Sequence, residues 1–327
     1  MTHLPKKNLL IALFLAVSSA GFAAPTAVEI HGRLRVDGNR VVDQHGDPVT
    51  LRGMSFYWSS MGGQSKYYNT NVVRWLRDDW HCNLIRVAMG VEGDGYLAHP
   101  DREKAKMIAM VDAAIADGIY VLIDWHDHHA DQHRAQAEAF FEEMAARYAS
   151  VPNVIYETWN EPVQQDWAKV IKPYHEAVVA RIRARDPLNL IACGTQTYAQ
   201  EVNRAAMNPV PGSNIVYTLH FYASTHQQGY RNKAAAALKN GAALMVTEYG
   251  TCEANGSGRI DEADFARWVE FMNQNGLSSC NWSVADLTET SAALRPGASP
   301  DGGWSTNQVS ASGNLVRNMI RTFNPAP

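Results

Sequence analysis

Two glutamates in this chain stand where chemistry is done. Glu161 closes the segment Val154-Ile155-Tyr156-Glu157-Thr158-Trp159-Asn160-Glu161, and Glu248 closes Ala243-Leu244-Met245-Val246-Thr247-Glu248. Apolar runs of this length read as strands, here with a carboxylate at the tip. Two facing carboxyls are the apparatus of glycoside hydrolysis: one, protonated, donates to a leaving oxygen, and the other, ionised, attacks or activates water. Closeness enforces the difference, because two like charges in one site do not both ionise easily. Taken alone, each glutamate is equally an ordinary strand-end or first-turn helix residue, since carboxylates suit a helix N-terminus. The neighbours add weight to the chemical reading. Arg86 can hold one carboxylate ionised, Asn160 can bind a sugar hydroxyl, and Trp282 can stack on a pyranose face. Singly, Arg86 would pass for a core ion-pair partner and Trp282 for a packing residue.

Apolar strand-like runs begin near Leu51, Leu84, Ile119, Val154, Asn189, Ile215, Ala243 and Ser279, with helix-period segments between most of them. Met107, Ile108, Val111 and Ile115 share one face of a helix that stops at Gly118, and Phe265, Trp268, Val269 and Met272 repeat the pattern before Gly276. Pro173 should kink or divide the helix that carries Trp167, Val170, Ile171, Tyr174, Val178 and Ile182. A final helix is expected after Gly313. Eight strand-helix units without a linker predict an α/β fold, a (β/α)8 TIM barrel, preceded by a short β-hairpin over Leu34 to Val49. A doubly wound sheet is the runner-up, and no GxGxxG nucleotide turn supports it. In such a barrel the working residues project from the C-terminal strand ends. Those ends read Arg86, Asp124-Trp125-His126-Asp127-His128, Trp159-Asn160-Glu161-Pro162, His220-Phe221-Tyr222, Glu248-Tyr249-Gly250 and Asn281-Trp282-Ser283.

The 327 residues are 46% hydrophobic and 19% charged, enough to bury a sizeable core, which excludes a disordered or fibrous chain. Twenty-nine Lys and Arg against 33 Asp and Glu leave a formal charge of −4. No basic cluster follows the first residues, so neither nucleic acid nor an anionic membrane is expected as a partner. Residues 1–23 carry Lys6-Lys7, an apolar run from Leu9 to Val17, and small residues up to Ala23. That is a secretory signal pattern, too short to span a bilayer, and it predicts an exported, secreted protein whose single catalytic domain occupies residues 24–327. Cys82, Cys193, Cys252 and Cys280 contain no CxxC, and buried thiols or one disulfide both remain open.

The segment Tyr156-Glu157-Thr158-Trp159-Asn160-Glu161-Pro162 resembles the Asn-Glu-Pro signature of glycoside hydrolase family five, the family of bacterial endo-β-1,4-glucanases. The likeness continues through Trp80 to Arg86, Ile123-Asp124-Trp125-His126, Leu219-His220-Phe221-Tyr222, Thr247-Glu248-Tyr249-Gly250, and Asn281-Trp282-Ser283 followed by Ser291-Ala292-Ala293-Leu294. It implies a retaining mechanism with Glu161 as acid/base and Glu248 as nucleophile. It implies that Arg86 and Tyr222 contact the nucleophile, that His126, Asn160 and His220 line the cleavage subsite, and that Trp282 is the aromatic platform. Tyr96 and Glu289 match glycone-side positions. Departures are Tyr249, Tyr198 and Met61, each where relatives have Trp, and Leu287 in place of Lys; these changes are expected to touch outer subsites.

The resemblance implies neither metal nor organic cofactor; a monomer acting on a β-glucan is expected. The histidine-rich run His126 to His133 invites a metal, but its spacing matches no HExxH or comparable ligand set. No GxSxG elbow supports a serine hydrolase. Mannan, xylan and mixed-linkage glucan remain open as substrates, as does a non-catalytic carbohydrate-binding protein, although a binder would need only one platform and not both carboxyls.

Overall fold

A computed structural model describes residues 24–326 of the chain; the expected leader, residues 1–23, lies outside the described residues. A short helix α1 (Ala27–His31), closed at its start by a Thr26–Glu29 capping box, leads into an antiparallel hairpin of β1 (Arg35–Asp37) and β2 (Arg40–Val42). The chain then winds through β3 (Arg52–Phe56), α2 (Thr70–Asp78), β4 (Leu84–Gly90), α3 (Pro100–Ala116), β5 (Tyr120–His126), α4 (Arg134–Tyr148), β6 (Val154–Glu157) and α5 (Lys172–Arg183). It continues through β7 (Ile191–Cys193), a single turn α6 (Gln196–Ala199), α7 (Val202–Met207), β8 (Ile215–Tyr222), α8 (Gln228–Lys239), β9 (Leu244–Gly250), α9 (Glu262–Asn275), β10 (Ser279–Val284) and α10 (Ala311–Phe323). Strands β3 to β10 pair in parallel, and β10 closes on β3. The closed eight-strand barrel ringed by helices is the expected (β/α)8 architecture, and each of its strands lies within the run that predicted it.

The helices end where their residues dictate. Gly276 adopts the left-handed conformation that caps α9, at φ 64°. Pro173 divides its helix as expected: a π-turn over Trp167–Ile171 precedes α5, and the proline falls in the first turn of α5, where a backbone N–H has no helical partner. The last helix begins at Ala311, before Gly313 rather than after it, because the Ser310 hydroxyl accepts from the Gly313 N–H and caps it. The four cysteines are buried thiols, none bonded to another.

Two packing layers share the strands. Residues facing outward from the barrel join the helices in one large core that includes Ile85, Val87, Trp125, Tyr156, Phe221 and Trp268. The alternate residues face inward and fill the lower barrel: Leu51, Leu84, Tyr120, Leu122, Ile155, Ala192, Val216, Met245 and Cys280, plugged from below by Leu34, Val41 and Val49 of the hairpin segment. Two residues further up each strand, the inward positions turn polar. Leu84 gives way to Arg86, Leu122 to Asp124 and His126, Ile155 to Glu157, and Val216 to Thr218, His220 and Tyr222. An apolar floor therefore carries a polar layer at the mouth.

Between β8 and β9 the register slips. Thr218 pairs with Met245 but His220 with Glu248, so β9 carries one extra residue against β8. A bulge of this kind changes which side chains point inward. It brings both Thr247 and Glu248, consecutive in sequence, into contact with interior groups.

Gly53 marks the tightest strand approach. A Cβ there would stand 1.6 Å from the Leu84 carbonyl oxygen. Gly53→Ala should force β3 away from β4 and lower unfolding free energy by about 2–3 kcal/mol, read by chemical denaturation. Wild-type stability in this variant would remove the close approach as a constraint on closure.

Candidate active site

Arg86 on β4 is the hub of the mouth. Fully buried, it donates from Nε to Glu157 Oε2 (2.7 Å), from Nη1 to Glu248 Oε2 (2.9 Å), and from Nη2 to Asn160 Oδ1 (2.5 Å), with Asp124 Oδ2 also 2.9 Å from Nη2. Ser55 on β3 accepts at 3.4 Å. The planar fork suits this, because its donors diverge at fixed angles toward several acceptors. The Tyr222 hydroxyl gives Glu248 a second donor, 2.8 Å from Oε1. Burial pushes the Glu248 carboxyl up and the nearby Glu161 pushes it further, opposed by His220, Arg86 and the Tyr222 hydrogen bond; the net direction is upward from the ordinary value.

Glu161, just beyond β6, has a different set of partners. His220 Nδ1 lies 2.7 Å from its Oε1, and His128 Nε2 lies 3.2 Å from its Oε2. Burial would raise this carboxyl, but the hydrogen bonds from His128 and His220 outweigh it and hold the group well below the usual carboxylate range. Burial would likewise depress His220. The charge of Glu248 and hydrogen bonding toward Glu157 and Glu161 instead lift it to about 9. One proton is thus held by the His220–Glu161 pair, and its titration belongs to the pair. The folded state binds a proton that an ordinary histidine releases above about 6.5, so the contribution to stability is complete below that pH and fades as pH rises through about 9. Carboxylate oxygens of Glu161 and Glu248 and a ring nitrogen of His220 all lie within 4.8 Å of one another.

One flank of this gap is aromatic. Trp282 lies parallel to His126, with ring centres 5.2 Å apart and planes 6° from parallel, and Tyr57 leans on Trp282 at 5.1 Å. Trp58 meets His126 edge-on at 4.2 Å. His126 is held neutral by burial, while its Nδ1 sits 2.7 Å from Asp124 Oδ2. Asn160 Nδ2 is buried without a partner among the described residues.

A family model for cellulase, glycosyl hydrolase family 5, matches residues 42–287. The chain belongs to glycosyl hydrolase family 5. It is similar to endoglucanase Z of Dickeya dadantii, 41% identical over 322 residues that cover 98% of this chain and 73% of the relative. Its structure superposes on one from Cytophaga hutchinsonii with TM-score 0.90 at 52% identity, covering 92% of this chain and 98% of that one. A variant of the catalytic domain of an endoglucanase from Thermobifida fusca, solved in complex with cellotetraose, gives TM-score 0.86 at 34% identity over 91% of this chain and all of that one. The chain is therefore a glycoside hydrolase.

Of the residues singled out in this family 5 enzyme, the structure gathers Arg86, His126, Asn160, Glu161, His220, Tyr222, Glu248 and Trp282 around one gap. Glu289, held by the Ser291 hydroxyl, is near enough to Tyr57 for its charge to act there: the Tyr57 hydroxyl is pushed up first by burial and then by the charges of Glu289 and Glu248. Tyr96 does not reach the gap. Its ring packs between Trp125 (5.0 Å) and Phe140 (5.6 Å), and its hydroxyl feels Lys104, Glu143 and Asp101 on the helical layer. Tyr249 is also corrected: it points outward from β9, fully buried against Phe221 and Phe265, and cannot touch an outer subsite. Tyr198 and Met61, 44% and 49% exposed, are free to do so.

The sequence reading missed Tyr57 and Trp58, since the tip of β3 was not read, and gave no role to His128, Glu157 or Thr247. Alternation with Leu84→Arg86 as a guide would have found Glu157, two residues above Ile155. The histidine-rich run is accounted for by hydrogen bonds: His126 to Asp124, His128 to Glu161, His129 to Glu92 and His133 to Asp127. Two sets could offer three ligand atoms each to a metal among the described residues, Glu92/Asp127/His129 and Glu161/His220/Glu248. In the first, Asp127 is engaged by His133, Trp125 and the His129 backbone N–H, and the second is the pair of carboxyls with its imidazole.

Removing the hub leaves buried carboxylates without a counter-charge. Arg86→Ala should cost about 3–5 kcal/mol of stability. Glu248→Gln, which deletes one of the several acids around the same cation, should cost far less, and parallel denaturation curves that rank the two the other way would refute the hub.

Proposed function

We propose that this chain is an exported endo-β-1,4-glucanase that cuts internal bonds of cellulose-type chains with retention of configuration. The observation that carries this reading is the gap between Glu161 and Glu248, whose oxygens approach within 4.8 Å from β6 and β9 across the barrel mouth. Retaining glycosidases place their carboxyls about 5–5.5 Å apart, whereas inverting ones leave about 6.5–9.5 Å for a water. The partners differ in the sense the chemistry requires. Glu248 is fixed by the cation Arg86 and the Tyr222 hydroxyl, which aim an oxygen and support its negative form. Glu161 faces an imidazole that supplies a proton.

In the first step the Glu161 side protonates the glycosidic oxygen as Glu248 bonds to the anomeric carbon. In the second, Glu161 takes a proton from water as that water displaces Glu248. Asn160, clamped by Arg86 through its oxygen, offers its amide hydrogens to a sugar hydroxyl, and Trp282, braced by His126 and Tyr57, offers a face to a pyranose. The similar Thermobifida fusca structure holds a β-1,4-linked glucan fragment, which supports glucan over mannan or xylan here. Export rests on the signal pattern of residues 1–23. Among the described residues no helix is long and apolar enough to cross a membrane.

Glu161→Gln and Glu248→Gln should each lower turnover of a soluble β-1,4-glucan by about three orders of magnitude or more with melting curves near wild type. Substantial hydrolysis by either folded variant would end the assignment. Proton NMR of fresh product should show the β-anomer first, before mutarotation, on carboxymethylcellulose and not on mannan or xylan. Initial α-anomer would mean inversion, and release of reducing ends from mannan alone would move the substrate.

A further inference from the structure

Beneath Glu161 a line of hydrogen bonds runs down into the barrel and ends on a carboxylate that faces no solvent. His220 Nε2 is 2.9 Å from Thr247 Oγ1, and Thr247 Oγ1 is 2.6 Å from Glu157 Oε1. Glu157 and Thr247 are fully buried, and His220 nearly so. We propose that Glu157, acting through the Thr247 hydroxyl, fixes the hydrogen of His220 on Nε2, so that the proton used in catalysis is shared between His220 Nδ1 and Glu161 Oε1. The acid of the reaction is then this pair, and Glu157 and Thr247 are positioning residues. The inference rests on the reading of Glu161 as acid/base and deepens it.

The available hydrogens fix the tautomer. Arg86 Nε donates to the other oxygen of Glu157 at 2.7 Å, and although burial opposes it, the charge of Arg86 leads the contacts that keep this carboxyl below its ordinary range. An ionised carboxylate only accepts. The single hydrogen of Thr247 therefore goes to Glu157, and the hydroxyl oxygen is left as the acceptor for His220. Nε2 must carry a hydrogen. The 2.7 Å contact of Nδ1 with Glu161 then holds one proton, on nitrogen or on oxygen, since two bare acceptors at that distance would repel.

The charges around His220 agree. Glu157 on β6, Glu161 just beyond it and Glu248 on β9 favour its cationic form against burial. Arg86 on β4 offsets part of the charge of Glu157 and Glu248, and His128, in the loop after β5, reaches the second oxygen of Glu161. On β5, burial first of all pushes the Asp124 carboxyl well up and the His126 ring well down, and His226 after β8 is depressed to about 4 by burial.

The cycle balances. As the C1–O bond breaks and the Glu248–C1 bond forms, the pair gives its proton to the leaving oxygen. Nδ1 and Oε1 then face each other without a hydrogen, which sharpens the basicity of Glu161. As water attacks C1 and the ester to Glu248 breaks, the water proton returns to the pair.

Two measurements test this. The first reads the free wild-type protein by nitrogen NMR of the His220 ring, assigned by its loss in His220→Gln. Both ring nitrogens should be protonated at pH 7, and Nε2 should keep its hydrogen when the pair titrates. A neutral ring at pH 7 carrying its hydrogen on Nδ1 would overturn the proposal, whether or not any glucan is cleaved. The second compares kcat/KM against pH for Thr247→Val, Glu157→Gln and Thr247→Ser on soluble β-1,4-glucan. Valine leaves Nε2–H without an acceptor and glutamine removes the buried charge, so the basic limb should move to lower pH by about one unit or more, with KM within about twofold. Serine keeps the hydroxyl and should restore the wild-type limb. A folded Thr247→Val enzyme with an unmoved limb refutes the relay, and if that variant does not fold the NMR result decides. Absence of any hydrolysis by wild type would count against the glucanase reading alone.

Discussion

The barrel mouth is organised around one buried cation. A guanidinium with no solvent contact costs several kcal/mol to desolvate, and the cost is offset only if its donors meet good acceptors, charges among them. Arg86 meets Glu157, Glu248, Asp124, Asn160 and Ser55, drawn from β6, β9, β5, the loop after β6, and β3. Each contact ties a different strand end to β4, so the same interaction that neutralises the charge also sets the positions of the groups around the gap. The geometry is over-determined, which is what a site needs if its reacting atoms are to be held before a substrate arrives.

The charge balance at the mouth follows from that arrangement. Four carboxyls crowd one volume with one permanent cation, and they cannot all be charged. Asp124, one oxygen of which has no partner among the described residues, is pushed up well above its ordinary value, first of all by burial. Glu157 stays ionised against the same burial because Arg86 and the Thr247 hydroxyl both serve it. His220 supplies the second positive charge. Each acid has two side-chain partners, so the kind of partner, guanidinium, imidazole or hydroxyl, separates their roles rather than the number of partners.

Much of this is legible in the sequence. The eight apolar runs, their spacing and the polar residues at their tips follow from strand periodicity, and alternate inward residues also predict that Arg86 and His220 share an interior with Leu84 and Val216. Tyr96 and Tyr249 show where such reading stops. Both are aromatic residues next to strand ends, and a strand end presents residues to two sides: the gap on one, the helices on the other. A Trp or Tyr fits either, so residue type does not choose. The bulge in β9 was equally hidden. Strict alternation places Thr247 and Glu248 on opposite faces, and only the register against β8 shows both reaching the interior. Glu157 and Thr247 were passed over because they lie below the tips, where an expectation of apolar packing prevails.

The aromatic flank has a consequence for how a chain would be held. Trp282, Tyr57, Trp58 and His126 form one contiguous cluster, each ring buttressed by another, on the side of the gap that also holds Tyr222 and Cys252. Beyond His128, which itself meets Trp58 at 5.6 Å, Tyr198 stands 44% exposed on the α6 turn, with His128, at 6.3 Å, its only aromatic neighbour among the described residues. A braced ring loses little freedom when a pyranose stacks on it, whereas an exposed side chain gives up more, so equal contact area yields unequal binding at the two places. The turn partly compensates. Thr197, Tyr198 and Ala199 all hold left-handed backbone angles, and the N–H groups of Thr197 and Tyr198 bond to the carbonyls of Val163 and Pro162, next to Glu161. The backbone that presents Tyr198 is thereby tied to the segment carrying Glu161, so the weaker platform remains in register with the acid even though its ring is free to move.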